Sequence, residues 1–218
     1  MRKVALVLSF ACALSLFAQT SPEWKELEKG NTAFKGNSIS FDDLINTRGR
    51  LVPPPLTNGQ KPPVTILSCS DSRVPPELVF KQTLGEIFLV RSAGNVTDTD
   101  GIASIEYALI QQPRWTKLLV ILAHERCGAI ETAMKTGEHA SPNLTDLLRQ
   151  IRASFSGSCP AGQDCTVFRT RQNAIYTVDH LKRRSEIIRK AIDVDKLPVV
   201  VAYYELKSGK VVVWKTIN

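Results

Sequence analysis

The chain has 218 residues, enough for one domain with a sizeable core once any targeting segment is removed. Its formal net charge is +7, falling to +5 without Arg2 and Lys3. The basic residues are scattered except in Lys182-Arg183-Arg184, which has no interleaved aromatics and reads as the solvated face of a helix, so nucleic-acid binding is disfavoured while an anionic substrate is mildly favoured.

The first segment in chain order has the pattern of a secretory signal. Arg2 and Lys3 form a positive start, Val4 to Ala18 is almost wholly apolar, and polar Gln19, Thr20 and Ser21 follow the small Ala18. The apolar run is about 15 residues where a membrane span needs about 20, which argues against a retained helix. Ser9 and Phe10 before Cys12 are a poor match to a lipoprotein signal. No other stretch is long and apolar enough to cross a bilayer. The expected layout is a signal over residues 1–18 and a single domain over 19–218, exported to a periplasm or secreted.

Trp24, Leu27 and Phe34 recur at offsets of three and seven behind Ser21 and Pro22, predicting a capped amphipathic helix over Pro22 to Phe34. Five prolines between Arg50 and Pro63 predict an extended connection with no element of its own. An alternation follows: strand Val64 to Ser68, short helix Pro75 to Phe80, strand Ile87 to Val90, helix Asp100 to Gln111, strand Leu118 to Ala123, and a helix starting over Ala129 to Thr136. Another helix begins near Asn143, and one long helix is expected from Val167 to Ile192, with Ile175, Val178, Leu181, Ile188 and Ile192 on one side. Pro198 to Tyr204 and Val211 to Trp214 flank "KSGK" as a hairpin. Apolar strands without polar alternation, separated by helices, imply an α/β fold: a mostly parallel sheet covered on both faces, with an antiparallel edge near the C-terminus.

Four cysteines follow the signal, and they fall into two kinds. Cys159 and Cys165 flank the turn-rich "PAGQD", and in an oxidising compartment they suit a local disulfide, against free thiols or a second metal site. Cys69 and Cys127 each stand beside a strand end and other ligand-type side chains. Cys69 follows the strand at Val64 to Ser68, and "HERC" follows the strand at Leu118 to Ala123. In an open parallel sheet both fall at the carboxyl edge where ligands bind. Cys69, His124 and Cys127 thus offer two thiolates and an imidazole, three ligands for Zn2+ with a fourth position open. Taken singly, each is more often a buried packing residue. Together, beside Asp71 and Arg73, they are hard to explain as packing.

The segments "CSDSRV" (Cys69 to Val74), "GEIFLVRSAGN" (Gly85 to Asn95), "SIEYA" (Ser104 to Ala108) and "HERCGAI" (His124 to Ile130) together resemble the β-class carbonic anhydrases, with weaker echoes at Trp24 to Phe34 and Tyr203 to Val211. The resemblance implies zinc on Cys69, His124 and Cys127, with Asp71 and Arg73 as a catalytic dyad. It implies reversible hydration of carbon dioxide to bicarbonate and a proton by a zinc-bound hydroxide, in a homodimer or larger assembly whose sites lie at the shared interface. Gln60, Phe88 and Tyr107 match the residues that line the cleft in the constitutively open subgroup. The bicarbonate-inhibited subgroup has a tryptophan where this chain has Ile66, so an open site is expected. Ala123 and Glu125 depart from the usual glycine and small hydroxyl residue on either side of the histidine.

Physically, Asp71 suits a hydrogen-bond acceptor that orients the attacking oxygen, and Arg73 suits a fork that keeps Asp71 ionised and off the metal. Two thiolates cancel the ion's formal charge, so activity is expected to rise with pH above neutrality. Hydrolysis of carbon disulfide or carbonyl sulfide and non-catalytic zinc and bicarbonate binding are the alternatives. A thiol redox role for Cys159 and Cys165 is disfavoured by their spacing.

Overall fold

The computed structural model describes residues 21–36, 54–111, 114–135 and 139–217. The signal expected over residues 1–18, with Cys12, lies outside them. Helix α1 (Pro22–Lys35) starts where the hydroxyl of Ser21 accepts from the backbone N–H of Trp24 at 3.1 Å, and Pro22 occupies a first-turn position that needs no donor. The proline-rich connection departs from its expected extended form, because Pro54–Thr57 makes one turn of helix (α2). Proline fixes φ near the helical value, and a single turn asks for no donor from its first residues.

Strand β1 (Val64–Ser68), helix α3 (Pro76–Val79), strand β2 (Ile87–Arg91), a 3-10 turn at Ala93–Asn95, helix α4 (Thr99–Ile110), strand β3 (Leu118–His124) and helix α5 (Gly128–Ala133) follow in order. Helix α6 (Pro142–Arg152) leads to the expected long helix, which is two helices, α7 (Cys165–Arg184) and α8 (Glu186–Asp193). Ser185 divides them: its backbone is extended (φ −135°, ψ 118°), and its hydroxyl caps α8 by accepting from the N–H of Ile188 at 3.1 Å. An apolar face continuous through the break hides it from periodicity, since Val178, Leu181, Ile188 and Ile192 are all buried in one cluster.

Strands β4 (Val199–Tyr204) and β5 (Val211–Ile217) close the sheet, whose order is β2-β1-β3-β4-β5. All pairs are parallel except β4 with β5, the expected antiparallel edge, which carries a register shift at Val201/Ala202. Successive side chains point to opposite faces, so both faces of a continuous apolar run are buried. Leu67, Leu119, Ile121, Val199 and Val201 pack under α4, α7 and α8. Ile66, Leu118, Val120, Leu122 and Val200 pack under Trp24 and Leu27 of α1 and Val79 of α3.

Gly30 is the contact that lets α1 lie so close. A Cβ there would stand 1.6 Å from the carbonyl oxygen of Phe80. In an isolated helix alanine is favoured over glycine by about 1 kcal/mol; here the backbone clash outweighs it. Gly30→Ala is expected to destabilise the fold by about 1–3 kcal/mol, the usual overpacking cost, read as a lower urea midpoint at unchanged slope. An unchanged midpoint would show that α1 moves freely.

Candidate metal centre

The carboxyl ends of β1 and β3 are neighbours, with Ser68 opposite Leu122, so the residues that follow them meet. His124 ends β3, and Arg126 takes a left-handed backbone (φ 51°) that turns the chain sharply before Cys127 at the start of α5. The sulfurs of Cys69 and Cys127 stand 3.9 Å apart. The ligand atoms of Cys69, His124 and Cys127 all lie within 4.8 Å of one another, and all three residues are buried.

Two features fit a zinc ion. Sulfurs held at about 2.3 Å from one tetrahedral zinc stand about 3.8 Å apart, close to the separation seen. The second is the histidine. Nδ1 lies 2.9 Å from the carbonyl oxygen of Glu125, which can only accept, so Nδ1 carries the proton and Nε2 presents a lone pair. Nε2 is fully buried and has no hydrogen-bond partner among the described residues. A buried acceptor facing two thiols is costly unless something binds it.

The two sulfurs lie within hydrogen-bond reach of each other. The Cys69 thiol is lowered, above all by its hydrogen bond with Cys127 and also by the N–H of Gly94, against its burial. Cys127 is pushed up by that same hydrogen bond and by burial. A divalent cation would supply the charge that lets both sulfurs ionise.

Asp71 and Arg73 form a fork. Arg73 Nε donates to Asp71 Oδ1 at 2.9 Å, Nη2 donates to Oδ2 at 2.7 Å, and the backbone N–H of Arg73 adds a third bond to Oδ1 at 3.0 Å. Asp71 Oδ2 is 4.0 Å from His124 Nε2, so the carboxylate borders the ligand cluster. Its bond to Arg73, above all, holds its pKa down at about 2, against its burial. Because that value lies below the ordinary one, the pair contributes stability above the usual carboxylate range and loses it as pH falls towards about 2.

Several supporting residues stand outside the expected set. Arg91 donates from Nε to the Cys69 carbonyl at 3.0 Å and from Nη2 to the Asp71 carbonyl at 2.7 Å, bracing the loop that carries both. Asn95 donates to the carbonyls of Leu67 and Leu122 at 3.2 and 2.9 Å, tying β1 to β3 just before their ligands. Gly94 donates its N–H to the sulfur of Cys69 at 3.3 Å. The segment "GEIFLVRSAGN" signals these residues only as a block. The substitutions flanking the histidine are accommodated: Ala123 is buried in the core, and Glu125 turns away to accept from the N–H of Lys207 at 3.2 Å.

Gln60, Phe88 and Tyr107 do not join the cluster. Gln60 is exposed before β1. Phe88 lies opposite Thr65, well short of the strand end, with its ring 6.1 Å from that of Tyr107, which is 49% exposed. Cys159 and Cys165 are disulfide-bonded across the turn before α7, with their α-carbons 5.5 Å apart. Among the described residues no helix is long and apolar enough to cross a membrane.

Residues 64–211 match the protein family described as carbonic anhydrase. A curated carbonic anhydrase of Mycolicibacterium smegmatis is 32% identical over 194 residues, covering 86% of this chain and 90% of its own length. Among solved structures, a tetrameric β-carbonic anhydrase of Sordaria macrospora superposes with a TM-score of 0.65 at 21% identity, over 85% of this chain and 93% of its own, a likeness of fold. The β-carbonic anhydrase CafA of Aspergillus fumigatus gives 0.61 at 26% identity, over 73% of this chain and 78% of its own.

Proposed function

The chain belongs to the β-carbonic anhydrase family, and from that premise we propose that it catalyses the reversible hydration of carbon dioxide to bicarbonate and a proton, with zinc as its metal. One observation carries the reading: two buried sulfurs and a lone-pair nitrogen converge beside a carboxylate whose two oxygens are both engaged by an arginine. Cys69, His124 and Cys127 would hold the ion. When bound, zinc supplies a Lewis acid that makes water acidic enough to yield a nucleophile near neutral pH.

The chain's own residues do the rest. Asp71 is fully ionised at neutral pH and accepts a hydrogen bond from water at the edge of the cluster, aiming an oxygen lone pair at the carbon of the gas. Arg73 donates to both carboxylate oxygens, leaving each a further lone pair, and donates from Nη2 to the carbonyl of Arg126 at 3.2 Å, which anchors the pair to the ligand loop. That hold keeps Asp71 a hydrogen-bonding group and not a fourth ligand, the open form of the site. Ile130, Ile151 and Val96 pack around the sulfurs and favour a small neutral molecule over bulk water.

A second copy of the chain supplies the remaining wall in this reading. Phe88 on β2, an edge strand of the sheet, and exposed Tyr107 on α4 would line a partner's site together with Gln60. Export to an oxidising compartment is supported by the signal pattern over residues 1–18 and by the Cys159–Cys165 disulfide.

The test is zinc analysis of the mature protein with stopped-flow carbon dioxide hydration across pH. About one zinc per chain and a rate that climbs above neutrality are expected. Folded protein without zinc, or with zinc and no hydration, would remove the proposal. Faster turnover of carbonyl sulfide or carbon disulfide in the same assay would favour the hydrolytic alternative.

A further inference from the structure

Asn173 is an unusual residue for its place. It sits in the interior of α7, where asparagine is a weak helix former, and it is only 5% exposed. A buried amide needs partners, and its Nδ2 donates to the carbonyl oxygen of Gly94 at 2.7 Å, across 79 residues of sequence. Gly94 in turn donates its own N–H to the sulfur of Cys69 at 3.3 Å.

Gly94 has little freedom to be anything else. Its φ is +68°, and a Cβ there would meet Ile151 Cδ1 at 2.7 Å and Ala129 Cβ at 3.2 Å. The turn it belongs to is stitched to the ligand strands on both sides. Ser92 N–H donates to the carbonyl of Ser68 at 3.2 Å, Ser70 N–H donates to the carbonyl of Ser92 at 3.3 Å, and the side chain of Asn95 reaches the ends of β1 and β3. Those bonds fix the flanks of the turn. The hydrogen bond from Asn173 is the one that fixes its apex, the residue that touches the sulfur.

We propose that Asn173 is a positioning residue for the metal centre: by holding the Gly94 carbonyl it aims the Gly94 N–H at the Cys69 sulfur and so limits how much electron density that sulfur gives a bound metal. This rests on Cys69 being a metal ligand. A hydrogen bond to a thiolate stabilises its lone pairs, and such bonds tune metal–sulfur centres generally. A sulfur relieved of the bond donates more strongly, and the bound ion becomes a weaker Lewis acid. Asn173 touches neither metal nor substrate, so its action passes through Gly94 alone, from the Gly94–Asn95 peptide whose carbonyl it holds to the Ala93–Gly94 peptide whose N–H meets the sulfur.

Cobalt in place of zinc makes the sulfur visible, because thiolate-to-cobalt charge transfer absorbs in the near ultraviolet and moves to longer wavelength as the sulfur donates more strongly. Asn173→Ala and the near-isosteric Asn173→Asp, in the full chain with one cobalt bound, are expected to shift this band to longer wavelength. Asn31→Ala is the control. Asn31 is also a buried helical asparagine, 6% exposed, bonding the carbonyls of Val79 and Gly209 at 3.1 and 2.8 Å away from the site, so its loss should lower stability and leave the band in place.

Bands that superpose on wild type in both Asn173 variants would overturn the proposal while leaving the ligand reading intact, as would an equal shift in Asn31→Ala. Absence of any sulfur-to-cobalt band in the wild-type chain would fell the ligand reading and the proposal with it. Should neither Asn173 variant fold, wild-type protein loaded with a spin-half cadmium isotope still decides the matter. The Gly94 amide proton should then show scalar coupling to cadmium through the Cys69 sulfur, and no such coupling would refute the contact on which the inference depends.

Discussion

His124→Ala is expected to fold but to lose its zinc. The binding free energy of a structural zinc site is about 10–16 kcal/mol, and spread over four ligands it gives about 2.5–4 kcal/mol each, so affinity should fall by about a hundredfold to a thousandfold. Folding should survive, because the side chain makes one hydrogen bond, from Nδ1 to the Glu125 carbonyl, and Nε2 makes none among the described residues. The measurement is zinc content after dialysis against a mild chelator, alongside circular dichroism. Hydration should fall with the metal towards the uncatalysed rate. A folded variant that keeps one zinc per chain with wild-type affinity would exclude the imidazole as a ligand.

Asp71→Asn should separate chemistry from metal binding. The asparagine is nearly isosteric, but it presents an NH₂ to Arg73 where the native carboxylate accepts a second bond at 2.7 Å. Two donors then face each other, and the amide turns so that its single oxygen is the one left near the guanidinium. The acceptor beside the ligand cluster is lost, along with its charge. Groups that orient or relay a proton are worth about a hundredfold to ten-thousandfold, and a loss of kcat in that range is expected with the zinc content unchanged. Because Asp71 is held at about 2, it is ionised throughout the working range, so the surviving pH profile of the variant should keep its wild-type midpoint. Loss of zinc in Asp71→Asn would instead identify Asp71 as a ligand; a shifted midpoint would mean that Asp71 itself titrates in the activity.

Much of the centre was legible from residue types alone. Cysteine, histidine, aspartate and arginine at a strand's carboxyl end have few joint structural uses, and continuous apolar strands separated by helices indicate a parallel sheet before any contact is known. The elements were misjudged where a local pattern has two solutions. An apolar face that runs unbroken through Ser185 is compatible with one helix or two, and the extended backbone at that residue chose two. A proline cluster excludes long helices and strands but not the single turn at Pro54–Thr57.

Gln60, Phe88 and Tyr107 mark a different limit. Their assignment to the cleft rests on resemblance, and within one chain the rings of Phe88 and Tyr107 lie tilted against each other, 6.1 Å apart, beside an edge strand. Spacing along a chain carries no information about which surface side chains share a cleft.

From its residues alone, the chain determined a zinc-type donor set and its host sheet, because ligand chemistry resides in side-chain type and the strand ends are marked by where apolar runs stop. Only the folded chain decided which groups stand behind those donors. Arg91, Asn95 and Asn173 bond backbone carbonyls 20 to 79 residues distant, and Gly94 gives its own N–H to a sulfur 25 residues away. A peptide carbonyl or N–H has the same chemistry at every position, so its partner is selected by close approach in space and leaves no mark in the local order of residues.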